Sequence, residues 1–300
     1  MQEALYNKEF LPVFWNNIFI WPKWRHVEMG LDWVGGLQFL FRGSGICGAA
    51  CCAVANGLTV VLRYRQGVLV QALTRGDGRS GMDVTSAILA SGCAPAMLKE
   101  TPEKLEVLGE VVMSLSAFNA LNKRRREEGL EGLKNPRNSA AGTLRLKDHA
   151  EIARRGLEIR IFELIVAEPM PSTHTGALAM VSSLGLPAVE SRAVSGFEVL
   201  RSIEEMNRDR ANGPFRTDGI VVRLDDRTEF ERLGKTAKYP RGAIARKYRA
   251  VAVETRLLRV EWMYGDTGRP PLPISSRSNW AGRPCNVPVC TASSICVRWI

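Results

Sequence analysis

A chain of 300 residues that is 45% hydrophobic can bury a core of domain size, which excludes a wholly disordered polypeptide. Its 41 lysines and arginines outnumber its 31 aspartates and glutamates by ten, and a pI near 9.5 suits a polyanionic partner such as nucleic acid or an anionic membrane surface. The seven cysteines, at 47, 51, 52, 93, 285, 290 and 296, contain no C-x-x-C pair, so neither a zinc site nor a disulfide framework is indicated.

Residues 1–50 are rich in Trp, Phe and Gly without sustained periodicity and yield no element. Their apolar run over 10–21 is broken by Pro12, Asn16 and Asn17 and is shorter than the ~20 residues a bilayer span needs. No small-residue cleavage pattern follows it, so a cytoplasmic chain is expected. "AVANGL" at 53–58 reads as a turn with no ionisable side chain, ahead of two strands over 58–64 and 68–73 that form a hairpin around Arg65-Gln66-Gly67. A helix follows Asp83, a strand runs over 105–113, and Ser114 or Ser116 caps a helix carrying Leu115, Phe118 and Leu121 on one face.

Turn formers and small residues in "NPRNSAAGTLR", 135–145, leave room for a close approach of backbone or ligand. The strand expected over 157–166 puts Ile159 and Ile161 on one face and Arg160 and Phe162 on the other. Helices are expected around 176–184 and 197–210, then strands over 219–224, 243–248 and 251–263. The elements interleave irregularly, which predicts an α+β fold with mainly antiparallel sheets rather than a doubly wound one. The basic run at Lys123 to Arg126 reads as a solvated helix face or an anion contact.

Several short runs gather side chains suited to a nucleotide phosphate. "TRGDG" sets Arg75 and Asp77 between glycines at a strand end, where a guanidinium can meet a phosphate. Glu110 interrupts an apolar strand and needs a partner or a ligand hydroxyl. Arg137 and Arg145 flank the small-residue segment, Asp218 and Arg223 end the run "DGIVVR", and Arg246 and Lys247 sit in "AIARKY".

Taken in order, "LxVxLRYxxGxLxxAxTRGDGxxGxDVT", "LEVxGEV", "NPRNxAAGxLR", "DGIVVR" and "PRxAIAxKY" resemble the adenylation domain of the bacterial NAD-dependent DNA ligases, a nucleotidyltransferase fold, over roughly 52–268. The resemblance implies NAD and Mg²⁺ as cofactors, nicked double-stranded DNA as partner, and a monomer that joins DNA nicks in replication and repair. It puts Arg75 in the nucleotide pocket, Glu110 on the ribose of AMP and Phe162 against the adenine. Arg137 and Arg145 would meet the nicotinamide-side phosphate or the DNA backbone. Asp218 would help bind metal or phosphate, Arg223 would stand at a lysine's place in the cofactor site, and Lys247 would meet the α-phosphate.

In the family the turn before the hairpin reads K-x-D-G, and its lysine amine takes AMP from NAD as a phosphoramidate. Here Val54 stands at the lysine position, Asn56 at the neighbouring carboxylate and Cys52 at an upstream acidic residue. A side chain with no lone pair forms no such bond, so self-adenylation is expected to be lost. Alternatives are a non-catalytic binder of nucleotide or nicked DNA, and residual sealing of preadenylated nicks. Leu108 and Asp266 also replace expected arginines. The family's small N-terminal domain is not recognisable in 1–50, so 51–263 is expected to be the adenylation domain. Residues 264–300 read as a truncated or frameshifted start of an oligonucleotide-binding domain, because an alternate frame after Trp280 permits Gly-Gly-Thr-Thr-Val-Gln-Arg-Ala-Ser-Leu-His. Codons at 282–290 incompatible with that peptide would exclude the frameshift.

Overall fold

A computed structural model describes residues 3–5, 48–75, 80–195, 198–236, 240–248, 260–263, 272–275, 277–280 and 283–286. Its strands are β1 (Glu3–Leu5), β2 (Ala49–Ala55), β3 (Leu58–Arg65), β4 (Val68–Thr74), β5 (Ser80–Met82), β6 (Lys104–Met113), β7 (Leu157–Val166), β8 (Ser191–Val194), β9 (Thr217–Leu224) and β10 (Ala243–Lys247). Its helices are α1 (Thr85–Ser91), α2 (Leu115–Glu127), α3 (Pro136–Thr143), α4 (His149–Arg154), α5 (His174–Ser183), α6 (Val199–Asp209) and α7 (Arg227–Leu233). All of these lie in one compact unit, Met1–Tyr248. A second, Arg249–Ile300, contains the hairpins Val260–Met263 with Leu272–Ser275 and Arg277–Trp280 with Arg283–Asn286.

Two antiparallel four-stranded sheets organise the first unit, in the orders β4-β3-β6-β7 and β10-β9-β2-β8. This is the expected α+β class with antiparallel pairing. The β3–β4 connection is a two-residue turn at Gln66 and Gly67, both with positive φ (49° and 76°), the conformation whose twist suits a tight hairpin. Along β3, Val60, Leu62 and Tyr64 enter the main core, which helices α1 to α5 share with the first sheet, while Val61 turns to the opposite face. There it packs with Leu108, Ile165 and the half-buried Phe162. The alternation expected along β7 holds, with Ile159 and Ile161 fully buried.

The second sheet covers a smaller core in which Ala49, Cys51, Ile220, Val222 and Leu224 meet Val199, Ile203 and Met206 of α6. Alternation then places Ala50, Cys52, Val54, Gly219, Val221 and Arg223 at register positions of the other face.

Two readings of the sequence need correction. The segment "AVANGL" is not a turn: β2 runs through Val54 to Ala55, and only Asn56 and Gly57 bend the chain into β3. β2 is a central strand hydrogen-bonded on both sides, so its small apolar residues carry no alternating signature. "NPRNSAAGTLR", read from its turn formers and small residues without an element, holds a helix, α3. Asn135 accepts from the Asn138 backbone N–H at 2.8 Å, and Pro136 occupies the first helical position, where its missing N–H costs nothing. Helices α4 and α7 were not expected, although each starts with an Asp cap and a Glu three residues on, a start signal present in the sequence: Asp148 with Glu151, and Asp226 with Glu229. Of the strand expected over 251–263, residues 251–259 lie outside the described residues, as do Asp77 and Asp266.

Candidate nucleotide cleft

The bend at Asn56-Gly57 gathers side chains from four separate parts of the chain. The Asn56 backbone N–H donates to the Arg216 carbonyl at 2.9 Å, and its side-chain Nδ2 donates to Asp218 Oδ1 at 2.8 Å. The Gly57 N–H donates to Glu110 Oε1 at 3.2 Å, while the Gly57 carbonyl accepts from Arg137 Nε at 3.1 Å. Thr59 Oγ1, one residue into β3, donates to Glu110 Oε2 at 2.9 Å. Strand β6, helix α3 and strand β9 are thus tied to one bend.

Two glycines permit this closeness. A Cβ on Gly57 would lie 2.1 Å from the Val111 carbonyl oxygen, and one on Gly219 would lie 2.4 Å from the Arg246 carbonyl oxygen. Neither contact is possible for a real side chain, so the "NG" and "DG" of the sequence mark places where backbones touch.

Gly219 is also the middle of a cross-strand row. Lys247 of β10 is its partner on one side and Val54 of β2 on the other. The next row on that face sets Ala245, Val221, Cys52 and Ser191 side by side, and the row after it Ala243, Arg223 and Ala50.

Glu110 is the carboxylate most altered by this setting. Burial pushes its pKa up, and the Thr59 hydrogen bond, Arg137, the Gly57 N–H and Arg75 only partly offset that, leaving it at about 7. Burial in turn lowers the Arg75 pKa, with Glu110 opposing the shift. The group therefore has an acceptor poised to change charge near neutrality, with two guanidiniums close by.

Of the residues singled out in the sequence, Asn56, Asp218, Glu110, Arg137 and Arg75 converge here, and Lys247 and Val54 flank Gly219. Phe162 lies on the face of the first sheet that carries Glu110's strand neighbour Leu108. Arg145 is exposed, just beyond the end of α3.

Arg223 goes elsewhere. It is four residues along β9 from Gly219, roughly 13 Å, and is 7% exposed. One of its Nη atoms donates to Glu163 Oε2, Arg227 Nη1 holds Glu163 Oε1 at 3.3 Å, and the Arg223 guanidinium stacks 4.1 Å from the Phe230 ring centroid. His174 Nδ1 stands 3.9 Å from Glu163, and its Nε2 is 4.0 Å from Cys52 Sγ. Burial, with Arg223, lowers the His174 pKa to about 4, so the ring is neutral at pH 7. Burial also raises Cys52 to about 11, keeping it a thiol. Sequence reasoning missed this cluster because Glu163 and His174 belong to no motif and meet Arg223 only through the packing of β7, α5 and β9.

The basic run on α2 is largely occupied. Arg124 pairs with Glu151 at 2.8 Å, Arg125 Nε donates to the Glu131 carbonyl, and Arg126 Nε to that of Asn122. Among the described residues no three His, Cys, Asp or Glu side chains converge as a metal-binding group, and no helix is long and apolar enough to cross a membrane.

Two antiparallel sheets with a polar cluster where a bend meets β6, β9 and α3 define a nucleotidyltransferase domain of the kind found in nucleic acid ligases. More closely, residues 42–251 match the model of the NAD-dependent DNA ligase adenylation domain, and the chain belongs to that family. It is 36% identical over 217 residues to a DNA ligase of Cytophaga hutchinsonii, an alignment covering 71% of this chain and 32% of the relative. It is 37% identical over 226 residues to a DNA ligase of Myxococcus xanthus, covering 73% of this chain and 34% of that protein. The chain spans about a third of the length of the curated relatives it matches.

Proposed function

We propose that the Asn56–Gly57 bend and its partners form a ligase-type nucleotide cleft that holds the adenylate part of NAD and does not become covalently adenylated at position 54. The observation that carries this reading is the convergence of Glu110, Arg137, Arg75 and Asp218 on a strand end whose residue 54 is valine.

The residues present fit an adenylate. Glu110 offers a buried acceptor to ribose hydroxyls, Arg75 and Arg137 supply cations for a phosphate, Lys247 adds an ammonium across Gly219, and Phe162 gives a flat face for a base. Of the site residues read from the sequence, Arg223 contributes least to this cleft, because Glu163 already engages its guanidinium. Any Mg²⁺ would be held mainly by phosphate oxygens and water, with help from Asp218, whose carboxylate lies beside the bend. When bound, NAD supplies the adenylyl group. In this chain no amine stands at position 54 to accept it, and the Asn56 amide beside that position carries no charge. What remains is binding and orientation of a nucleotide, with nicked DNA as the larger partner.

The test is incubation of the full chain with Mg²⁺ and NAD labelled in the adenylate, followed by denaturing separation. No covalent label is expected on the unaltered protein, and label is expected on the doubly substituted Val54→Lys/Asn56→Asp chain. Label retained by the unaltered chain would refute the reading. Saturable, non-covalent AMP binding by the unaltered chain, weakened at least about tenfold in Arg137→Ala, would support it.

A further inference from the structure

Strands β3 and β6 pair in a register that sets Thr59 directly opposite Glu110. Residues opposite one another on neighbouring strands share a face of the sheet, so the two side chains meet. Thr59 Oγ1 donates to Glu110 Oε2 at 2.9 Å, and the Gly57 N–H donates to Oε1 at 3.2 Å. One donor on each oxygen fixes the plane of the carboxyl group. An ionised carboxylate accepts about four hydrogen bonds, so each oxygen keeps room for a further donor.

The same residue steadies a neighbouring cation. Just past the last pairs of β3 with β4, the Arg75 N–H donates to the Thr59 carbonyl at 3.3 Å. Thr59 therefore meets two charged groups of the cleft by separate routes, Glu110 through its hydroxyl and Arg75 through its backbone. Sequence reasoning passed over it, because a threonine in a strand is ordinary.

We propose that Thr59 is a positioning residue of this cleft: its hydroxyl aims the Glu110 carboxylate at the ribose hydroxyls of a bound nucleotide and so sets a preference for ribonucleotides over 2′-deoxyribonucleotides. This rests on the cleft's holding an adenylate. A carboxylate released from Thr59 can turn about its last side-chain bond, whose torsion is broad, and its acceptors then no longer face a ribose in one direction. The backbone bond to Arg75 survives a change of side chain, so the part played by the hydroxyl can be measured by itself.

The charged groups facing Glu110 are Arg75 after β4, Arg137 of α3 and, at its cross-strand position on β7, Arg160, which pairs with Glu158 at 3.1 Å. All of them are kept in the variants. The Thr59 hydrogen bond favours the ionised form of Glu110, so its loss must push the carboxyl further up from about 7.

The experiment compares the unaltered full chain with Thr59→Val, which keeps the branched shape without the hydroxyl, and Thr59→Ser, which keeps the hydroxyl. Without nucleotide, the Glu110 carboxyl is titrated by carbon NMR of glutamate-labelled protein, with Glu110→Gln identifying its signal. Its midpoint should move up by about one pH unit in Thr59→Val, and Thr59→Ser should restore most of that shift. AMP and 2′-deoxyAMP are then titrated at pH 9, where the carboxyl is mostly ionised in all three chains. The preference for AMP should fall about fivefold in Thr59→Val and largely return in Thr59→Ser. An unmoved midpoint in Thr59→Val, an equal shift in Thr59→Ser, or an unchanged preference with both nucleotides still bound would overturn this proposal and leave the adenylate reading standing. Absence of binding of either nucleotide to the unaltered chain would refute the adenylate reading and this proposal with it. Should Thr59→Val not fold, Thr59→Ala removes the same hydroxyl and takes its place; failure of both to fold would mark a structural role alone and overturn the proposal.

Discussion

At Glu110 a single carboxyl sets a pH dependence that can be worked out in sign. Its folded pKa is about 7 against an ordinary 4.5, so between those values the folded chain keeps a proton that the unfolded chain has released. Stability attributable to this group is greatest below pH 4.5 and declines as pH rises toward 7. His174 acts in the opposite sense. Its pKa falls from 6.5 to about 4, so the unfolded chain takes up a proton as pH drops through that window, and stability is lost on the acid side. The two slopes nearly cancel between pH 4.5 and 6.5 in the unaltered protein. Glu110→Gln removes one of them, and the variant's unfolding free energy should then climb by on the order of 2 kcal/mol from pH 4.5 to 6.5. Urea titrations at half-unit pH steps check this, and a flat profile in the variant would show that Glu110 is not the compensating group.

At the scale of elements, α3 joins the bend to the helical layer, and its first turn does so through a cap. Asn135 accepts from Asn138, Pro136 opens the helix, and the next residue, Arg137, reaches the Gly57 carbonyl. Asn135→Ala should lower stability by about 1 kcal/mol. It should also weaken AMP binding beyond what the cap alone accounts for, because Arg137 loses its fixed origin. Asn135→Asp, which preserves the acceptor, should do neither; thermal unfolding and AMP titration of both variants separate the two effects. How far such elements could be read from sequence follows from their chemistry. β3, β4, β6 and β7 announced themselves because β-branched and long aliphatic residues recur in them with turn residues at the ends. β2 did not, since Ala49 to Ala55 has only small side chains and is buried on both faces over Ala49 to Cys52. The partners of the bend were legible because Glu110 interrupts an apolar strand, Arg137 flanks a small-residue segment and Asp218 opens the run "DGIVVR", all within motifs of the family. Their meeting at the Asn56–Gly57 bend was not, because it needs the pairing of β3 with β6, that of β2 with β9 and the close backbone approach at Gly57.

Across the whole first unit, the ion pair between β7 and β9 joins the two sheets. Glu163 of β7 is 3% exposed and is held by Arg223 of β9 and Arg227 of α7, while Arg227 also donates to the Leu164 carbonyl at 3.2 Å. Burial raises the Glu163 pKa, but Arg223, His174 and Arg227 outweigh it and leave the group below the ordinary carboxylate range. Its stabilising effect is therefore fully present above pH 4.5 and is lost as pH falls below that value through the lower folded pKa. Removing the carboxylate alone leaves two guanidiniums buried without their counter-ion, so Glu163→Gln should cost about 3–5 kcal/mol. Removing one cation as well relieves that penalty: Glu163→Gln/Arg223→Met should be clearly more stable than Glu163→Gln, since a methionine fills the space against Phe230 without a charge to satisfy. Urea unfolding of the three chains at pH 7 checks the order. If the double variant were no more stable than the single one, the stabilisation would lie in Arg223 itself, through its stacking on Phe230, and not in the pairing of charge across the sheets.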